Sequence, residues 1–137
     1  MDQIFSIPEE AVLLIRIGLA AFFSILFVQS GLDKLINFRE NLSYIASHFE
    51  RTSISGFAPI LFVLLTITEV LAGFISVYGI FELLIHDSSG VARIGALLSM
   101  LALLFVFFGQ RIAKDYGGAS GITGYFLVSV LAVVIFS

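Results

Sequence analysis

The sequence predicts an all-α membrane protein: an antiparallel four-transmembrane-helix bundle with a short interfacial amphipathic helix after the first span. Three observations carry this. Hydrophobic residues make up 59% of the 137-residue chain and charged residues only 12%, against roughly 45–50% and 25% in a soluble domain. The mean hydropathy is +1.09, and a chain of this length has too little interior to hide so much apolar surface from water. Four apolar runs each approach the roughly 20 residues that a helix needs to cross a hydrocarbon core. A soluble enzyme, a disordered chain and a nucleic-acid-binding domain are thereby excluded. Residues 1–137 form one domain.

The first span is expected over about residues 11–36, where Arg16 is the only charge before Asp33. The residues ahead of it, MDQIFSIPEE, are acidic, and no A-x-A site follows, so a cleaved signal peptide is not expected. Phe38, Leu42, Ile45 and Phe49 then recur at helical spacing, with Arg39, Asn41, Ser43 and Ser47 on the other side. That pattern predicts an amphipathic helix over about 38–50, lying in the membrane interface. The second span, about 57–79, carries Glu69 as its only charge, and the third, about 91–110, carries Arg93 near its start. Ser88, Ser89 and Gly90 read as the turn between them. The glycine-rich stretch Gly117–Gly124 opens a short fourth span, about 118–136.

Short connections make neighbouring spans antiparallel. Small residues let helices approach closely in lipid: Gly18, Ala20 and Ala21 in span one; Ala72, Gly73 and Ser76 in span two; Ala92, Gly95, Ala96 and Ser99 in span three. Lys34, Arg39, Arg51, Arg111 and Lys114 fall on one side of the bundle, and only Arg93 lies near the other, with Asp2, Glu9, Glu10, Glu82 and Asp87. The positive-inside rule then puts loops 37–56 and 111–117 in the cytoplasm and both termini outside.

Charges within spans are costly, so they face the bundle interior and find partners. Glu69 is expected either protonated or paired with a cation. Arg16, about 9 Å in from the outer end by helical rise, is the leading partner, and Arg93 is a competitor. Two readings stay open: a pin that fixes helix register, and a proton or ligand site. A second cluster gathers where spans one and three end, with Asp33, Lys34, Arg111, Lys114, Asp115 and Tyr116. Asp33 with Arg111, and Lys34 with Asp115, are the expected pairs. Tyr116 suits headgroup depth, and Gly117 and Gly118 offer backbone N–H groups to an oxygen ligand. This cluster reads either as a structural collar or as a headgroup site.

The chain has no cysteine and two histidines. Thiol–disulfide chemistry, thiolate metal sites and iron–sulfur ligation are absent from its repertoire. His48 and His86 fall on opposite faces in this topology, which excludes a shared midplane haem. His86, Asp87 and Glu82 read as a wet loop before a weak cation site. No metal is expected, and no triad or other catalytic constellation is visible.

In their order these residues resemble the DoxX family of small bacterial membrane proteins. Arg16 stands early in span one. That span ends in a G-x-x-K-L motif, Gly31-Leu-Asp-Lys-Leu35, followed by Phe38. Glu69 lies within span two ahead of Gly73, and span three ends in a D-Y-x-G-A-like motif, Asp115-Tyr116-Gly117-Gly118-Ala119. The resemblance covers nearly the whole chain. It implies a four-helix fold in the bacterial cytoplasmic (inner) membrane and a link with thiosulfate:quinone oxidoreductase subunits or oxidative-stress complexes. Thiol–quinone chemistry, which some related proteins perform with cysteines, is excluded here.

Three functions follow as expectations. The first is a non-catalytic subunit that docks other membrane-protein subunits or self-associates within the lipid bilayer. The second is a quinone-associated oxidoreductase subunit with no cofactor of its own beyond the quinone. Its ligand candidates are Arg16, Glu69, Asp33, Lys34, Arg111, Asp115 and Tyr116. The third is a small carrier of a proton, ion or lipid-like solute, centred on Glu69.

Overall fold

The computed structural model describes residues 6–137, and all their regular structure is helical. Asp2, counted above in the charge tally, lies outside the described residues. The helices are α1 (Glu9–Ile36), α2 (Phe38–Phe49), α3 (Ala58–His86), α4 (Gly90–Ile112) and α5 (Tyr116–Ile135). Four of them, all but α2, are long and apolar enough to cross a membrane.

The boundaries have local causes. The carbonyl of Pro8 accepts the Val12 N–H at the start of α1, and Pro59 sits in the first turn of α3, where a missing N–H costs nothing. The α3–α4 turn is only three residues long. Asp87 adopts a left-handed conformation there, with φ 50°, and Glu82 Oε1 accepts the Val91 N–H at 3.1 Å. A side chain of α3 thus satisfies an otherwise orphaned donor of α4. Asp115 caps α5 by accepting the Gly118 N–H at 3.0 Å.

One boundary departs from expectation. The second span was expected to stop at Gly79, but α3 continues for two more turns, to His86. Gly79 is a packing position and not a stop: a Cβ there would come within 2.8 Å of the Ala92 Cα. Close approach explains the glycine, because lipid supplies no hydrophobic drive between helices and backbone proximity substitutes for it.

Helix α3 is the hub, packing extensively on α1 and α4, while α5 rests on α4 with a smaller contact to α1. The outer surface differs from that of a soluble bundle, and small residues occupy many of the helix contacts. Ala20, Ala72, Ala92, Ala96, Ala102 and Ala132 are buried. Leu14, Ile25 and Ile85, by contrast, are each at least 70% exposed. Phe23, Phe62 and Leu83 fill the interior between these small contact residues, and the many large apolar residues left on the outside suit lipid as the solvent. The tightest seams are glycine-mediated. A Cβ on Gly73 would sit 2.6 Å from the Val28 N, and one on Gly95 would sit 2.5 Å from the Ser76 Oγ. Buried hydroxyls other than that of Ser76, which is buried without a partner, turn back onto their own helices: Ser24 donates to the Ala20 carbonyl, Thr66 to Phe62 and Ser99 to Gly95. These bonds meet the requirement that polar groups be satisfied where no water is present.

Helix α2 is amphipathic as expected. Phe49 is buried and Phe38, Leu42 and Ile45 are half-buried, while Arg39, Ser43 and Ser47 are exposed. Asn41 is the exception to the expected polar side. It is half-buried and donates from Nδ2 to the Asn37 carbonyl at 3.0 Å. The Phe38 ring packs on Phe62 of α3 at 5.3 Å between centroids, and Phe49 lies against Gly109 of α4. The helix therefore bridges over α3 and α4 at one end of the bundle.

Candidate functional site

The ion pair formed by Glu69 is not the expected one. Glu69 is 2% exposed on α3, and its Oε2 lies 2.9 Å from the Lys34 Nζ of α1. Ser30, one turn before Lys34, donates to the same Oε2 at 2.8 Å and accepts from Lys34 Nζ at 2.8 Å. A closed triangle of carboxylate, ammonium and hydroxyl results, and it is the one ion pair among the described residues.

Helix register explains the correction. Gly31 abuts Val70, and Gly73 abuts Phe27 and Val28. In this antiparallel register Glu69 faces the level of about residue 32, and Arg16 faces the level of about residue 85. Sixteen residues at 1.5 Å each put Arg16 on the order of 24 Å from Glu69 along the bundle. Arg16 instead donates from Nε to the Ile135 carbonyl at 3.4 Å, at the C-terminal end of α5, where a cation complements the helix dipole. Arg93 is exposed and is likewise not paired with Glu69.

The second cluster is partly assembled. Neither Asp33–Arg111 nor Lys34–Asp115 forms an ion pair. Asp33 accepts from Asn37 Nδ2 at 2.9 Å and, more distantly, from Asn41. Arg111 lies over the Tyr116 ring at 4.5 Å to the centroid, a cation–π contact. The Gly118 N–H, expected to be free for a ligand oxygen, is taken by Asp115. Lys34 and Asp115 do meet a common space, however, which is a cavity and not a salt bridge.

This cavity is a groove of about 310 Å³. Helix α2 roofs it with Tyr44, Ile45, His48 and Phe49. Its floor comes from Ala58, Leu61, Phe62 and Leu65 of α3 and from Phe105, Val106 and Gly109 of α4. Lys34, Asn41, Gln110 and Asp115 are the other polar groups that reach it. The roof is braced by aromatic stacking, with His48 parallel to Tyr44 at 5.4 Å and edge-on to Phe49 at 5.3 Å. Apolar walls with a few convergent polar groups, at about this volume, are the makeup of a small-molecule site.

Four participants, Ser30, Gln110, Tyr44 and His48, were not singled out from the sequence as site residues. Ser30 carried a usable signal, a hydroxyl four residues before Lys34 and so on the same helix face. Gln110 stood out only as a polar residue closing the run FVFFG. Its Oε1 is buried without a hydrogen-bond partner. Tyr44 and His48 lay on a helix read only as an interfacial element. Gly118 belongs to the site for steric reasons, since a Cβ there would come 2.8 Å from Gln110 Nε2 and 2.5 Å from Asp115 Oδ2. Among the described residues no group of three His, Asp or Glu side chains is placed to hold a metal ion.

Comparison of the chain with family models, with curated proteins and with solved structures finds no match.

Proposed function

We propose that this is a DoxX-like integral protein of the bacterial cytoplasmic membrane that serves as a quinone-associated subunit of a membrane oxidoreductase. The observation that carries the reading is the groove beneath α2, with its apolar walls and with Lys34 at its polar end. A quinone needs an apolar channel for its tail and a donor for a ring oxygen. The Lys34 ammonium has three N–H groups, and two are committed to Ser30 and Glu69. The third is available to a carbonyl oxygen. Glu69 offsets the lysine charge, so the site favours a neutral ligand. The redox centre belongs to a partner subunit, which the exposed apolar helix faces would meet within the bilayer.

The carrier reading ranks behind this one. Glu69 does not line the groove and is held by two partners, whereas a carrier site must release its proton or ion. The test is native mass spectrometry of protein extracted in the mildest usable detergent, with and without an added decyl-tailed benzoquinone. Retention of a quinone-mass ligand, lost in Lys34→Met, is expected, together with copurification of a cofactor-bearing partner. A lone species that takes up no quinone would overturn the proposal.

A further inference from the structure

We propose that a polar cleft at the α2 end of the bundle binds the phosphate of an anionic phospholipid, with Arg51 and Lys114 as its cationic jaws. The cleft, of about 730 Å³, lies between the residues around the end of α2 and the turn that joins α4 to α5. Arg51 comes from one side and Lys114 from the other, and Glu50 is the one acid that lines it. Ser47, Thr52 and Ser53 add hydroxyls, and His48 adds an imidazole. The cleft is separate from the apolar groove, although His48 lines both, and the proposal does not rest on the quinone reading.

Charge comes first. Neither Arg51 nor Lys114 makes an ion pair among the described residues, even though Glu50 shares the cleft. Two cations against one acid leave the lining net positive. The other acids of this end are placed elsewhere: Asp33 accepts from Asn37, Asp115 from the Gly118 N–H, Glu69 pairs with Lys34, and Glu40 stands in the first turn of α2, at the far end of that helix. Backbone geometry adds a second observation. Lys114 is left-handed, with φ 61°. Its N–H donates to the Arg111 carbonyl at 3.2 Å, and the Asp115 N–H donates to the Gln110 carbonyl at 2.8 Å. These two bonds close a Schellman turn, whose left-handed position glycine fills without strain. The chain holds a lysine there, with its ammonium exposed beside the cleft. The third observation is an apolar path. Phe105, Phe108 and Ile112 share one face of α4 by helical spacing. Ile112 lines the cleft, and the two exposed phenylalanines lie one and two turns deeper. That stripe offers an acyl chain a course from the cleft toward the hydrocarbon, which a free phosphate ion does not need. An interfacial α2 sets the cleft at headgroup depth, where basic residues attract anionic lipid.

The test is native mass spectrometry of the purified full-length chain in mild detergent, titrated with phosphatidylglycerol and with phosphatidylcholine of identical acyl chains. Phosphatidylglycerol is expected to bind about fivefold more tightly, the scale of one net cation at a headgroup. Arg51→Gln and Lys114→Gly should each bring the two lipids to within about twofold of each other. Lys114→Gly also relieves the left-handed backbone, so it should unfold no more readily than the native chain by circular dichroism, and its lost preference is then not lost folding. Glu50→Gln removes the opposing charge and should widen the preference by about fivefold again. Arg93→Gln, at the other end of the bundle, should leave it unchanged. Equal binding of the two lipids by the native chain would overturn the proposal, as would a preference that survives in the double variant Arg51→Gln, Lys114→Gly. Inorganic phosphate, even in large excess, is expected not to displace phosphatidylglycerol; displacement at equal concentration would make the cleft a soluble-phosphate site and overturn the lipid assignment. The quinone experiment reads Lys34, whereas this one reads Arg51 and Lys114, so either site can fail while the other stands.

Discussion

Removing the Lys34 side-chain charge is the sharpest perturbation of the bundle. At 2.9 Å and an effective dielectric of about 20, the Lys34–Glu69 attraction is roughly 6 kcal/mol before desolvation is counted. Most of that is offset by taking two charges out of solvent. What matters for a variant is the charge left behind. Glu69 is 2% exposed, so Lys34→Met strands a carboxylate with only Ser30 beside it. Breaking a buried pair this way costs about 3–5 kcal/mol. The Lys34 side chain is 19% exposed, which points to the lower end, about 3 kcal/mol. Glu69→Gln is expected to cost less, about 1–2 kcal/mol, because a long lysine can carry its ammonium outward. The double variant Lys34→Met, Glu69→Gln should then be more stable than Lys34→Met alone. The assay is reversible unfolding in mixed micelles, followed by helical circular dichroism, over the full double-mutant cycle. Costs that add to within about 0.5 kcal/mol would refute the coupling. So would a coupling of that size between Arg16 and Glu69, since the register puts those two far apart.

Two further expectations follow from packing and topology. Gly73→Ala would drive a methyl group to 2.6 Å from the Val28 backbone N, and it should cost about 1–3 kcal/mol by overpacking. Gly18→Ala has nothing within 4 Å and should be neutral or slightly stabilising through helix propensity; the same micelle unfolding assay separates the two. Because the native chain has no cysteine, Ser43→Cys on α2 and Ser88→Cys in the α3–α4 turn can each be probed in intact cells with a membrane-impermeant maleimide. Labelling at residue 88 and protection at residue 43 are expected, and the reverse pattern would invert the proposed orientation.

The architecture was legible because lipid imposes a long, unambiguous apolar signal. The expected span over 11–36 corresponds to α1 (Glu9–Ile36), and the amphipathic stretch 38–50 to α2 (Phe38–Phe49). Legibility failed at one helix end. The second span was bounded by the length a bilayer requires, about 57–79, whereas α3 runs on to His86 and Gly79 within it is a contact with Ala92. The pairs expected in the second cluster, Asp33–Arg111 and Lys34–Asp115, did not form for a related reason. Sequence separates charged residues by depth but not by direction around the helix axis. Asp33 and Lys34 are adjacent in the chain, about 100° apart on the helix, and they enter different environments. Asp33 is exposed and bonds to asparagines, while Lys34 turns inward to Glu69.

That angular difference also explains why the site lies at one end of the bundle. With the second span drawn as 57–79, Glu69 falls near its middle, and an arginine descending from the far end looks like a fitting partner. With α3 running over Ala58–His86, Glu69 is eleven residues from the start of the helix and seventeen from its end. It belongs to the half that α1 reaches with its C-terminal turns. There Lys34 both lines the groove and pairs with Glu69, so the buried carboxylate is one side chain removed from the groove. Arg16 pins the opposite end, against the last turn of α5. Arg16 and Glu69 thus sit in separate contacts, one against the end of α5 and one beside Lys34 at the groove. Substitution of Arg16 should weaken the α1–α5 contact and leave groove binding intact, whereas substitution of Glu69 should disturb binding through Lys34.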